Sequence, residues 1–107
     1  MDKFVIDPRN RDLIEWSPVT RTFHTDASTL EAHGFRFTHL FGRSTIWIRS
    51  HKFKCDILFT HRRNIFDEEG SSIARVFEAH TSDWAVDQYG EEIIKATEGN
   101  KLIIYND

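Results

Sequence analysis

The sequence predicts a mainly β fold, with an α+β fold as the alternative. We expect an antiparallel meander sheet or small barrel of about six to eight strands, with one short helix near residues 25–34. Nine Phe, three Trp and two Tyr among 107 residues favour packed sheets. Apolar side chains alternate with polar ones through the middle of the chain. Short turn signals built on Asp, Gly and Asn recur along it.

Length and composition predict one domain, residues 1–107. The chain is 39% hydrophobic and 29% charged, which is typical of a globular protein. Its single cysteine, Cys55, excludes an internal disulfide and a multi-cysteine zinc site, so a reducing compartment is expected. The first residues contain no long apolar stretch, which argues against a signal peptide or a membrane span. We therefore expect a cytoplasmic protein with no membrane partner.

Turn signals divide the chain into strands. Asp at the first turn position accepts backbone hydrogen bonds, and Gly or Asn at the fourth tolerates positive φ. This pattern predicts a type I turn with a bulge in each of residues 5–10, 65–70 and 85–90. A Gly-Asn pair within residues 98–101 predicts a two-residue hairpin, in which Ala96 faces Ile103 and Ile94 faces Tyr105.

One helix is predicted before the middle of the chain. Thr25 or Asp26 is suited to cap it, and residues 27–33 have acceptable helix propensity. Gly34 is placed to end it. A helix of about two turns needs a sheet to pack on.

The segment 35–64 alternates in three sets, separated by breaks at residues 42–43 and 50–51. Period-two alternation predicts half-buried strands with one side on a core. The residues predicted to point inward are Phe35, Phe37, Phe41, Ile46, Ile48, Phe53, Cys55, Ile57 and Phe59. Those predicted to point outward on the opposite side are Arg36, Thr38, Thr45, Trp47, Arg49, Lys52 and Lys54.

Charge is segregated along the chain, although its net value is only −3. Residues 1–34 contain four Lys or Arg and six Asp or Glu. Residues 35–64 contain seven Lys or Arg and one acidic residue. Residues 65–107 contain three Lys or Arg and ten Asp or Glu. Such asymmetry bears on partners and association. The plain alternative is that the two signs neutralise each other on the folded surface.

The outward side of residues 35–64 is the first candidate contact surface. Cations neutralise phosphates, and an exposed aromatic ring stacks on an unpaired base. The pattern therefore predicts a non-enzymatic binding protein that engages either single-stranded nucleic acid or an acidic protein surface. The predicted contact residues are Arg36, Arg43, Trp47, Arg49, Lys52, Lys54, Arg62 and Arg63.

Two alternatives stay open from the sequence. The acidic last section predicts an accessory or inhibitory protein, for example from a phage or other mobile element, that binds a basic protein or a nucleic-acid site. Its interface residues would be Glu68, Glu69, Asp87, Glu91 and Glu92. A small metal-independent ribonuclease would instead use His51 and His61 with Arg49. No spacing indicates a metal site, a cofactor or a catalytic motif, so none of these is predicted.

Overall fold

The computed structural model describes residues 15–17, 19–32, 35, 38–40, 42–50 and 52–106. In this part of the chain the protein is mainly β, as predicted. The strands are β1 (Glu15–Ser17), β2 (Thr22–Asp26), β3 (Thr38–Leu40), β4 (Arg43–Ser50), β5 (Cys55–Phe66), β6 (Ser72–His80) and β7 (Lys101–Tyr105). The helices are α1 (Ala27–Ala32), α2 (Asp83–Tyr89) and α3 (Glu91–Thr97).

The strands form one sheet in the spatial order β1-β2-β7-β6-β5-β4-β3. One side of this sheet, the inner face, packs against the helices. Leu30 of α1, Ala85 of α2 and Ile93 of α3 join the same buried cluster as Phe23 and Phe59 of the sheet. The opposite side is called the outer face. Burial of these apolar side chains on the inner face is the main stabilising term of the fold.

The β4–β5 hairpin follows the predicted alternation. Phe53, Cys55, Ile57 and Phe59 are all buried in the core, as predicted. Strand β4 ends at Ser50, whose Oγ accepts a hydrogen bond of 3.2 Å from the backbone N–H of Phe53 and so helps to close the turn. The predicted break at residues 42–43 also coincides with the start of β4, next to Gly42 at φ 75°.

Helix α1 begins where the sequence predicts. Asp26 Oδ1 accepts a hydrogen bond of 2.7 Å from the N–H of Thr29, so Asp26 and not Thr25 supplies the capping side chain. Leu30 is buried and anchors this short helix to the inner face. Half-buried Phe35 packs against the same core. The predictions for His33, Gly34, Phe37 and Phe41 lie outside the described residues.

The turn predicted at residues 65–70 is confirmed. Asp67 Oδ1 accepts hydrogen bonds of 2.9 Å from the N–H groups of both Glu69 and Ser71. Gly70 adopts φ 85°, a conformation that side chains with a Cβ rarely adopt. The β5–β6 hairpin therefore ends in a turn organised by Asp67. The related turn predicted at residues 5–10 lies outside the described residues.

The two turns predicted near the C-terminus are wrong, because residues 83–97 form the helices α2 and α3. Ser82 Oγ accepts from the N–H of Ala85 and caps α2. Ile93, Ala96 and Thr97 are buried on one side of α3 at helical spacing, so the residues assigned to a hairpin bury their apolar side as a helix. Gly99 and Asn100 follow this helix and do not form a hairpin turn.

The predicted all-antiparallel meander is also wrong, because β2 and β7 pair in parallel. The chain leaves β2 through α1 and reaches β3 at the opposite edge of the sheet, so β2 and β3 are not neighbours. Helices α2 and α3 then carry the chain from β6 to β7, which lies between β2 and β6. The result is a mixed sheet with three helices in the described part of the chain.

Candidate nucleic-acid interface

An exposed tryptophan lies on the outer face of β4. Trp47 is 41% exposed, whereas its sequence neighbours Ile46 and Ile48 are buried in the inner core. Successive side chains of a strand point to opposite faces, so this contrast fixes the parity. Trp47 lies opposite Leu58 of β5, and Arg49 follows two residues later on the same face. The predicted direction of Trp47 and Arg49 is confirmed.

A β-bulge in β5 brings two consecutive arginines to the outer face. His61 lies opposite Phe77, and both side chains point to the inner face. Arg63 lies opposite Val76, the residue before Phe77, so both of these side chains point to the outer face. The register shift between these pairs leaves Arg62 as the extra residue of the bulge. In a regular strand Arg62 and Arg63 would point to opposite faces, and the bulge removes that alternation.

A groove of about 270 Å³ crosses β4, β5 and β6 on the outer face. Arg62 Nε donates a hydrogen bond of 3.1 Å to Glu78 Oε2 within it. Arg43, the first residue of β4, places its Nη1 3.5 Å from the carbonyl oxygen of His61 on β5. Both guanidinium groups are exposed to solvent. The groove is lined by Arg43, Thr45, Leu58, Thr60, Arg62, Glu78, Ala79 and His80.

Two residues of the groove differ from what the sequence suggests. Thr45 lies on the predicted face, opposite Thr60, but it is 1% exposed because it lines the groove and does not project from the sheet. His80 lies opposite Leu58 and lines the same groove, although it was not among the predicted contact residues. Phe77 and Ala79 point to the core, so strand alternation directs His80 to the outer face. That alternation is visible in the sequence and could have predicted the position of His80.

Two arginines of the predicted contact surface form ion pairs on the outer face. Arg62 pairs with Glu78, and Arg49 Nη1 lies 3.8 Å from Asp56 Oδ1. These pairs lie along the outer face and leave all four side chains substantially exposed. Exposed pairs of this kind contribute little to stability. The arginines therefore stay accessible to a stronger anionic ligand.

Lys52 does not lie with Trp47. Lys52 Nζ is 2.9 Å from Glu92 Oε1 on α3 and 5.1 Å from the centre of the Phe53 ring. It therefore belongs to the helical side of the protein, and the basic and acidic sections of the sequence neutralise each other at this point. Lys54 is exposed in the β4–β5 turn at φ 52°. Arg36 and the side chain of Thr38 lie outside what the structure describes.

The predicted acidic interface is divided between two places. Glu68 and Glu69 lie in the β5–β6 turn, at the start of β6. Asp87, Glu91 and Glu92 belong to α2 and α3, which follow the other end of β6. Because β6 has nine residues, these places are about 25 Å apart along the strand direction. The structure does not bring the five carboxylates together.

The histidine arrangement proposed for a ribonuclease is not assembled among the described residues. His61 points to the inner face, where its ring lies 5.2 Å from that of Phe77 and its Nε2 lies 2.8 Å from Asn64 Oδ1. Arg49 points to the outer face. A general acid and a phosphate-holding cation must reach the same phosphate, so His61 and Arg49 cannot act together. His51 lies outside the described residues.

Potential metal ligands are dispersed in the described part of the chain. No cluster of three or more potential ligands occurs within residues 15–17, 19–32, 35, 38–40, 42–50 and 52–106.

Cys55 is buried, and that burial raises the pKa of its thiol above the ordinary value. The Arg49 charge opposes this shift, and the Asp56 charge adds to it.

Cys55 is therefore expected to react slowly with a thiol reagent in the native protein. The thiolate is the reactive form, and both the raised pKa and the burial reduce its availability at neutral pH. Labelling followed by mass spectrometry should show protection that disappears in denaturant. Rapid stoichiometric labelling of the native protein would show that the inner face has been assigned to the wrong parity.

Comparisons with protein-family models, curated proteins and solved structures found no match to this chain. In the described part of the chain, no helix is both long and apolar enough to cross a membrane.

Proposed function

We propose that this protein binds single-stranded nucleic acid, without catalysis, through the outer face of β4 and β5. The observation that carries the proposal is an exposed indole on the same face as four arginines. Guanidinium groups neutralise phosphates, and the indole provides a stacking surface for one unpaired base. The proposed contact residues are Arg43, Trp47, Arg49, Arg62 and Arg63.

The groove supports a nucleotide as the ligand. Its lining includes Arg43 and Arg62 together with the polar residues Thr60 and His80. Single-stranded nucleic acid is recognised when splayed bases stack on aromatic rings and present their edges to polar groups. Trp47 lies opposite Leu58, which is itself a lining residue. A base stacked on Trp47 would therefore leave the neighbouring nucleotide close to the groove.

Glu78 favours nucleic acid over an acidic protein surface as the partner. Its carboxylate lies in the groove beside Arg62 and would repel the carboxylates of an acidic protein. A nucleobase carries amino donors as well as acceptors, so it can satisfy both members of the Arg62–Glu78 pair. The remaining anionic groups of the ligand, its phosphates, would meet the other arginines of the face.

Binding through a single acidic interface has less support, because its five carboxylates are divided between the β5–β6 turn and the helices. Lys52 and Lys54 are secondary candidates, since Lys52 pairs with Glu92. A cytoplasmic location stays a prediction.

Replacing Trp47 with Ala is expected to weaken binding of a single-stranded oligonucleotide by about 1–3 kcal/mol, the value of one base–aromatic stack. Trp47→Phe should retain most of the affinity, because Phe also stacks. Fluorescence anisotropy of a labelled oligonucleotide measures both. Trp84→Ala is the matched control, since Trp84 is also exposed but lies on α2. Equal affinities for the wild type and Trp47→Ala would remove the stacking role.

A further inference from the structure

A second exposed tryptophan marks a different surface. Trp84 of α2 is 60% exposed, more than Trp47 on the outer face. Because α2 packs on the inner side of the sheet, Trp84 and Trp47 belong to opposite sides of the protein. Large exposed aromatic side chains are typical of interaction surfaces, where they act as anchors.

The Trp84 ring is held by a chain of aromatic contacts. It meets the Tyr89 ring edge-on, with 6.2 Å between centroids and an interplanar angle of 83°. Tyr89 in turn packs edge-on against buried Phe53, and its hydroxyl donates to the Phe53 carbonyl oxygen. The indole is therefore exposed but oriented. An oriented side chain loses less entropy when a partner binds.

Charge around Trp84 indicates the kind of partner. Asp87 is three residues further along α2 and is a neighbour of Trp84 on the helix surface. Glu91 and Glu92 follow in the first turn of α3. Residues 83–98 contain five exposed carboxylates and one cation, Lys95. This surface complements a cationic ligand, whereas the outer face complements an anionic one.

One cation of the protein itself, Lys52, lies between an aromatic ring and a carboxylate on this side of the molecule. Lys52 Nζ lies over the Phe53 ring at 5.1 Å and pairs with Glu92 at 2.9 Å. Phe53 and Tyr89 are in contact, so this cation lies beside the aromatic chain that supports Trp84. The combination of a ring face and a carboxylate is thus present on the same side of the molecule. Indole is a better cation–π acceptor than a phenyl ring.

We propose that the surface formed by Trp84, Asp87 and Glu91 binds an arginine-rich segment of a partner protein. An arginine guanidinium would lie over the indole while carboxylates accept its N–H groups. Arginine is favoured over lysine because its planar group stacks and donates in a fixed fork. This surface is separate from the outer face, so the protein would join a basic protein to a nucleic acid.

Calorimetric titration with a short Arg-Gly repeat peptide tests the proposal, with the Lys-Gly peptide of equal charge for comparison. The Arg peptide should bind more tightly. Trp84→Ala should weaken its binding by about tenfold, as expected for loss of one desolvated cation–π contact. The affinity of Trp84→Phe for the Arg peptide should lie between those of the wild type and Trp84→Ala. The double variant Asp87→Asn/Glu91→Gln should also weaken binding, whereas Glu68→Gln/Glu69→Gln has the same net charge and should not.

Equal weakening by the two double variants would show attraction to net charge only and would overturn the proposal. So would unchanged binding in Trp84→Ala, or equal affinities for the Arg and Lys peptides. A dimer that dissociates in Trp84→Ala, detected by sedimentation, would assign the surface to a second copy and would also overturn it. Oligonucleotide binding is measured on the same variants. Its retention in Trp84→Ala would separate failure of this proposal from failure of the outer-face proposal.

Discussion

Reversing Arg43 and Arg63 together to Glu is expected to weaken single-stranded oligonucleotide binding by roughly 25-fold at about 0.1 M monovalent salt. Each phosphate contact on a single strand contributes about 0.7 to the slope of log affinity against log salt. Removing two contacts should therefore flatten that slope by about 1.4, besides the loss of affinity at low salt. Anisotropy titrations at several salt concentrations measure both quantities.

Arg43 and Arg63 are preferred for this reversal because Arg49 and Arg62 form ion pairs with Asp56 and Glu78. Reversal at the paired positions would create repulsion inside the protein as well as with the ligand. Lys95→Glu is the matched control, because it alters charge by the same amount as each single reversal. It lies in the last turn of α3, on the other side of the sheet. A loss of affinity in Lys95→Glu equal to that in Arg63→Glu would indicate attraction to net charge alone.

Replacing Phe59 with Ala is expected to lower the free energy of unfolding by about 3–5 kcal/mol. The Phe59 side chain has no exposed surface, and its ring meets that of Phe23 edge-on at 5.9 Å. Truncation removes these contacts and leaves a cavity, because the closely packed core relaxes only partially around the missing ring. Urea unfolding followed by circular dichroism measures the change.

Phe66→Ala is the control for this core substitution. Phe66 ends the same strand but is 58% exposed, so its truncation should cost much less than that of Phe59. The comparison tests the assignment of the inner face independently of any ligand. Similar losses of stability in the two variants would contradict the core described above.

Local patterns in the middle of the chain were sufficient to predict the β4–β5 hairpin. Alternation from Ile46 to Phe59 fixes which side chains face the core, because one side of each strand must be buried. The Asp67 turn and the Asp26 cap were predictable for a similar reason, since each depends on hydrogen bonds within a few residues. The direction of Trp47 and Arg49 on the candidate site follows from the same alternation.

The errors have two physical causes. Ile93, Ala96 and Thr97 suit either a strand or a helix locally, and packing against the inner face decides for the helix. The parallel pairing of β2 with β7 joins residues about eighty positions apart, which no local pattern encodes. Assigning residues 85–90 to a turn also concealed α2, and with it the exposed Trp84.

The groove required tertiary information of another kind. The bulge that brings Arg62 and Arg63 to the same face interrupts the alternation used for the rest of β5. His80 and Glu78 enter the groove from β6, and neither belongs to the contact residues predicted from the sequence. Pairing of Lys52 with Glu92 separates it from the outer face. Individual side-chain directions were thus predictable, whereas their combination into a groove was not.

Photo-crosslinking of a thio-substituted single-stranded oligonucleotide, followed by tryptic digestion and mass spectrometry, locates the contact on the unmodified protein. Cleavage after Arg43 and Arg49 isolates Trp47 in the peptide 44–49, and cleavage after Arg75 and Lys95 isolates Trp84 in the peptide 76–95. If the outer face binds the strand, crosslinks should concentrate in peptide 44–49 and disappear when unlabelled oligonucleotide is added in excess. Because Glu78 and His80 of the groove also belong to peptide 76–95, fragment spectra are used to assign the crosslinked residue within it. Crosslinks concentrated at Trp84, or none that excess oligonucleotide removes, would contradict nucleic-acid binding at the outer face.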